Sequence, residues 1–325
     1  VAGNLRAARP DLEPDDLRQG DRRRRRIHGG HPRRRRQDPE SLFFDLAIDD
    51  LREAAKLFEP VHSATGGVDG YVSLEVSPLL ADDTQATIEQ AVELHRRAGI
   101  RNLFIKVPGT PAGVPAIAEL IYRGVPVNVT LLFSPAQYRA AADAYLRGLE
   151  RRAAEGKPLN VASVASLFIS RWDAKVAKSV PNALRNQLGL AVAGATYADY
   201  ARLLASARMQ RLMNDGARPQ RLLWASTGTK DPNASDVLYV ANLIAPLTIN
   251  TMPDKTIKAY ADHGRAGAPL AADGAAADAL LQRFAEHDLP VDRLAAELQE
   301  EGKQSFDQSW RDLLDTIRKR TAQAA

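Results

Sequence analysis

The chain has 325 residues, 45% of them hydrophobic and 26% charged, which suits one large globular domain or two ordinary ones. It contains no cysteine, so disulfide scaffolds, zinc ribbons and thiol nucleophiles are excluded. No apolar run approaches the ~20 residues that span a bilayer, and no apolar stretch of a signal peptide follows the basic N-terminal residues, so a soluble, cytoplasmic chain is expected.

The net charge of +4 is unevenly spread. Residues 1–40 hold 12 of the 44 Lys and Arg and 7 of the 40 Asp and Glu, which leaves the rest of the chain close to neutral. Arg22 to Arg26 and Arg33 to Arg36 carry the excess, and no nucleic-acid partner is expected for the body. This segment has neither helical nor strand periodicity. Periodicity begins at Ser41, with an amphipathic helix over roughly 41–58. Tyr71 to Val76 reads as a strand, Thr84 to Ala98 as a helix, Leu103 to Val107 as a strand and Ala112 to Arg123 as a helix. Val125 to Phe133 is the next strand; Ser134 then caps a helix from Pro135 to Glu150. Val161 to Ile169 is a strand followed by helices to about residue 212. Arg221 to Ala225 and Leu247 to Asn250 are strands flanking a helix at Ser235 to Ile244. The tail after Asp273 is helical.

Strands alternating with helices imply an α/β fold with a parallel sheet. Short strands that turn polar at their C-terminal ends favour a (β/α)8 TIM barrel over a doubly wound sheet, whose glycine-rich first turn is missing. A closed barrel needs eight strands and six are legible; the deficit falls before residue 41.

The C-terminal ends of barrel strands are where active sites are built. Here they carry Glu75, Lys106, Asn128 with Thr130, Ser166 with Arg171, and Ser226 followed by Lys230. Lys106 interrupts an otherwise apolar strand. Burial disfavours an ammonium, and a neutral amine attacks a carbonyl to form a Schiff base; alternatively its stem lies along the wall and its charge reaches solvent. Glu75 is either a proton shuttle or only an ion-pair partner of Lys106. Thr130 positions a water or is an ordinary β-branched strand residue. Arg171 and Lys230 hold a phosphate or are solvated surface charges.

The strings Val72-Ser73-Leu74-Glu75-Val76, Asn102-Leu103-Phe104-Ile105-Lys106-Val107-Pro108, Val127-Asn128-Val129-Thr130-Leu131-Leu132-Phe133-Ser134 and Trp224-Ala225-Ser226-Thr227-Gly228-Thr229-Lys230 resemble the transaldolase family. Asn250-Thr251-Met252-Pro253 and Asp262-His263-Gly264 belong to the same pattern, and the bacterial subgroup with a long helical C-terminal tail is the one resembled, over roughly residues 41–325. The resemblance implies that Lys106 forms the Schiff base with a ketose phosphate. It implies that Glu75 and Thr130 hold the catalytic water and that Asn128 orients the imine and substrate hydroxyls. Ser166, Phe168 and Arg171 match substrate and phosphate contacts, Ser226 lies in the next matched strand end, and Lys230 falls near the second phosphate cation. The implied reaction moves a dihydroxyacetone unit from sedoheptulose 7-phosphate to glyceraldehyde 3-phosphate. No metal or organic cofactor is implied, and sugar phosphates are the expected partners. A related Schiff-base sugar-phosphate aldolase, or an inactive barrel with a basic interaction arm, are the alternatives; the oligomeric state is not legible.

The family's first two strands carry an aspartate and a Thr-Ser-Asn-Pro-type motif, and residues 1–40 hold neither. Asp11-Leu12-Glu13-Pro14, written as degenerate codons and displaced by one nucleotide, permits Thr-Ser-Asn-Pro, and Asp15 to Asp21 permits Thr-Ile-Phe-Xaa-Lys-Ala-Ile. Both are what the family places there. Roughly residues 8–37 are therefore expected to be an out-of-frame translation, with the correct frame resuming before Asp38; the rival is a genuine basic arm for nucleic acid or an anionic surface.

Overall fold

Asp38 starts the first helix: its carboxylate accepts from the Ser41 amide at 3.0 Å, and Pro39 supplies a first-turn φ without needing a hydrogen-bond acceptor. This is a computed structural model that describes residues 38–323. The Arg-rich segment and the displaced-frame expectation lie outside those residues. Helix α1 (Pro39–Ala64) runs past the expected end near Phe58 because Pro60 is tolerated on its exposed side. Buried His62 then fixes the turn, its Nδ1 donating to the Asp69 carbonyl at 2.9 Å and its ring meeting Tyr71 edge-on.

The strands are β1 (Val72–Glu75), β2 (Leu103–Pro108), β3 (Val127–Leu132), β4 (Ser163–Phe168), β5 (Arg221–Ala225) and β6 (Thr248–Asn250), each parallel to the next in chain order. Intervening helices are α2 (Thr84–Ala98), α3 (Gly113–Arg123), α4 (Pro135–Ala154), α5 (Ser170–Val176), α6 (Leu188–Ala205), α7 (Ala207–Asn214) and α8 (Leu238–Asn242). Consecutive parallel pairing with a helix at each crossover is the winding of a (β/α)8 barrel, with six strands among the described residues. After β6 come α9 (Asp254–His263), α10 (Ala275–Ala285) and α11 (Val291–Gln323). No helix of the described residues is long and apolar enough to cross a membrane.

The core lies between the sheet and its helices. Leu103, Ile105, Val107, Val127, Val129, Ala165, Leu167 and Leu222 are entirely inaccessible and alternate along their strands with the residues of the other face. That other face carries the polar side chains. Helix α11 returns from the far end of the chain and packs on α1 through Phe306 and Trp310, whose ring meets Phe43 edge-on at 4.8 Å.

Candidate active site

Lys106 sits in β2, where every residue is buried, and register places it beside Glu75 of β1 and Asn128 of β3. The side chain of Lys106 is only 3% exposed, and its Nζ lies 3.5 Å from Glu75 Oε2. The snorkelling alternative is thereby removed: this ammonium does not reach bulk water but meets a carboxylate inside the sheet's polar face.

Asn128 shows that this face is concave. Its Nδ2 donates to Ser73 Oγ at 3.3 Å, two strands away on β1, while Oδ1 accepts from Ser166 Oγ of β4 at 2.7 Å. Only a curved sheet lets side chains of β1, β3 and β4 meet in this way. With both ends held, the amide's orientation is defined, and both Asn128 and Ser166 are buried. Thr130 follows on the same face of β3; its hydroxyl is fully buried and has no hydrogen-bond partner among the described residues. Such an orphan group costs about 1–3 kcal/mol unless a water or ligand satisfies it.

Immediately beyond Thr130, Leu131 adopts φ 57°, and the β3–β4 register shifts between Val129 and Leu132. A left-handed leucine costs roughly 1–2 kcal/mol. The bulge bends β3 as it leaves the site.

A second cluster lies at the ends of β4 and β5. The Arg171 guanidinium stands 5.5 Å over the Phe168 ring, which tilts against Phe133 at 5.3 Å. Ser170 Oγ and Ser226 Oγ are 3.0 Å apart, and the Ser170 amide donates to the Ser226 carbonyl. Ser226 also has a positive φ of 55°. Lys230 is exposed on the loop after β5. Asp173 secures α5, and Arg171 with it. Its carboxylate accepts from the Leu188 and Gly189 amides at the start of α6 and from the Tyr239 hydroxyl. Burial pushes the Asp173 pKa up, against the lowering effect of those three donors. Gly189 is required there, since a Cβ would sit 2.8 Å from the Ile169 carbonyl and 2.9 Å from Asp173.

A cleft beside β1 is lined by Ser73, Glu75, Phe43, Ala47, Phe306 and Trp310, bringing helix α11 to the edge of the site. Sequence reasoning missed Ser73 and Asp173. Ser73 had a usable signal, being two residues before Glu75 and hence on the same strand face.

A buried lysine with a carboxylate partner, a fixed asparagine and an unsatisfied hydroxyl are thus grouped at strand ends of a parallel α/β sheet. The model of the transaldolase/fructose-6-phosphate aldolase family matches residues 21–317. This chain belongs to that family. Transaldolases of Mycolicibacterium smegmatis, Parafrankia sp. and Mycobacterium tuberculosis are each 43% identical to it over 86% of its length, covering 77%, 78% and 78% of those proteins.

Proposed function

We propose that the chain is a cytoplasmic transaldolase, passing a dihydroxyacetone unit from sedoheptulose 7-phosphate to glyceraldehyde 3-phosphate. The observation that carries this reading is the buried Lys106–Glu75 pair at 3.5 Å, on a concave face shared with Asn128, Thr130 and Ser166. Glu75 accepts a proton from Lys106, and the free amine attacks the ketose carbonyl at C2. Loss of water gives the imine. The C3–C4 bond then breaks: the C4 hydroxyl loses its proton, erythrose 4-phosphate leaves, and the bonding pair moves into the protonated imine to give an enamine. The enamine carbon attacks the aldehyde of glyceraldehyde 3-phosphate, whose oxygen takes up a proton. Water held by Glu75 and Thr130 hydrolyses the new imine, releasing fructose 6-phosphate and the Lys106 amine.

Asn128 is held by Ser73 and Ser166 in one orientation, which suits it to direct the imine and substrate hydroxyls. Arg171, whose guanidinium stands 5.5 Å over the Phe168 ring, offers its charge to the phosphate, with Ser226 adding a hydroxyl in contact with Ser170. Lys230, exposed on the loop after β5, supplies a further positive charge.

The second reading is a Schiff-base aldolase that releases dihydroxyacetone to water, the other activity in the family's description. Fructose 6-phosphate consumption, measured with and without erythrose 4-phosphate as acceptor, separates them. A transaldolase consumes the ketose with the acceptor present and forms sedoheptulose 7-phosphate. Equal consumption without acceptor, with free dihydroxyacetone formed, overturns this assignment.

A further inference from the structure

Helix α11 crosses the C-terminal ends of the strands that carry the site. Lys303 pairs with Asp82, beyond β1, at 2.7 Å; Glu297 and Glu301 both pair with Lys175 of α5. Between these anchors Gly302 allows close approach, since a Cβ there would lie 3.0 Å from Leu131 and 3.6 Å from the Arg171 guanidinium. One turn earlier, Gln299 Nε2 donates to the Leu131 carbonyl at 2.9 Å and to the Gly109 carbonyl at 3.1 Å. The Gly109 amide in turn donates to the Thr130 carbonyl at 2.8 Å. The ends of β2 and β3 are thus closed into a ring around Thr130, and one side-chain amide closes it.

We propose that Gln299 is a positioning residue for Thr130, holding the left-handed Leu131 bulge in the one conformation that aims the threonine hydroxyl at the reacting centre. Leu131 is the weak point of that arrangement. A leucine at φ 57° relaxes toward ordinary strand geometry unless its surroundings prevent it. The parallel ladder does not prevent it, because register is broken between Val129 and Leu132. Gln299 supplies the missing hydrogen bond on the strand's carbonyl side. Rotation of the Leu131 peptide swings the preceding Thr130 side chain, whose hydroxyl has no other partner to retain it among the described residues. The inference rests on the proposed transaldolase reading, in which Thr130 holds the water used for imine hydrolysis.

Gln299→Met keeps the length and helix propensity of the side chain while deleting both donors; Gln299→Lys keeps N–H donors at similar reach. Each is compared with the parent full-length chain by two measurements. Borohydride trapping with fructose 6-phosphate, taken to its end point, counts competent Lys106 sites. Turnover is then expressed per trapped site. The expected result for Gln299→Met is an undiminished end-point yield with kcat per site lower by about 10- to 100-fold and KM little changed, as for ångström-scale misplacement of one catalytic group. Gln299→Lys should recover most of the loss. A purely structural role lowers thermal stability and trapped sites together and leaves turnover per site unmoved, which overturns the proposal. So does a folded Gln299→Lys variant whose turnover per site is no better than that of Gln299→Met, or is lost where the Met variant fails to fold. An absence of any adduct in the parent chain, both as written and with the displaced frame restored, is a different outcome, and contradicts the Schiff-base reading itself.

Discussion

Lys106 Nζ stands 3.5 Å from Glu75 Oε2, with the lysine 3% and the glutamate 14% exposed. Parallel register between β1 and β2 sets the two residues opposite each other, so the pair is a product of strand alignment, not of chance rotamers. Removing one member of such a buried pair leaves the other uncompensated, at a typical cost of about 3–5 kcal/mol. Moving one proton from lysine to glutamate removes both charges without breaking the contact. In the proposed mechanism that one step yields the nucleophilic amine and its proton acceptor together.

Glu75→Gln keeps the size and polarity of the side chain but cannot accept that proton. Turnover should fall by about 10²–10⁴-fold, the usual range for general acid–base groups, while slow formation of a reducible adduct at Lys106 persists. Steady-state kinetics alongside end-point trapping make the comparison; near-normal turnover would reduce Glu75 to an ion-pair partner.

Asp173→Ala removes the acceptor of three buried hydrogen bonds, from Leu188, Gly189 and Tyr239. A loss of about 2–3 kcal/mol is expected, given the worth of hydrogen bonds to charged groups. Urea unfolding should show a lower midpoint with an unchanged slope. An unchanged midpoint would mean that the N-terminus of α6 is held by packing alone.

His263 at the end of α9 is held above its ordinary pKa, first by Asp236, 2.9 Å from its Nε2, and then by Asp262. A raised folded-state pKa contributes stability that is fully present below the unfolded value and lost as pH rises through the folded value. The melting temperature difference between the parent and His263→Gln should therefore shrink from about pH 6 to about pH 8, and high salt should weaken it because these groups are exposed. A difference that grows with pH would contradict the ion pair.

The site was legible where charge broke an apolar pattern. Lys106 stands out within a strand whose other residues are apolar, Glu75 is the one charge in its strand, and alternation places Asn128 and Thr130 on one face. Arg171 and Lys230 were equivalent by composition; only three-dimensional placement separates the arginine that stands over the Phe168 ring from the exposed lysine. Helix α9 escaped detection because Ile257 and Tyr260 give it too sparse an apolar stripe, with Thr256 its only buried residue. Gln299 had no local signal at all. It is one polar residue among many on an amphipathic helix, and its partners lie 168 and 190 residues away.

Residues 1–40 bear on whether the chain works as written. By sequence, barrel strands built from Arg22 to Arg36 would bring many charges into an apolar interior. We propose that restoring the displaced frame over roughly residues 8–37 yields a more soluble and more active protein than the sequence as written. Resequencing the gene across these codons should reveal an insertion or deletion, and matched expression with a coupled assay should favour the restored chain. An uninterrupted frame, or a fully soluble and active protein as written, contradicts this.

The most direct measurement is borohydride reduction with fructose 6-phosphate followed by mass spectrometry of the digested protein, on the chain as written and on the frame-restored chain. The account predicts one adduct per chain, carried by the peptide containing Lys106, and none in Lys106→Ala or in Lys106→Arg, whose guanidinium stays protonated and cannot attack a carbonyl. An adduct on another lysine, one that survives either substitution, or none in both parent chains would contradict it.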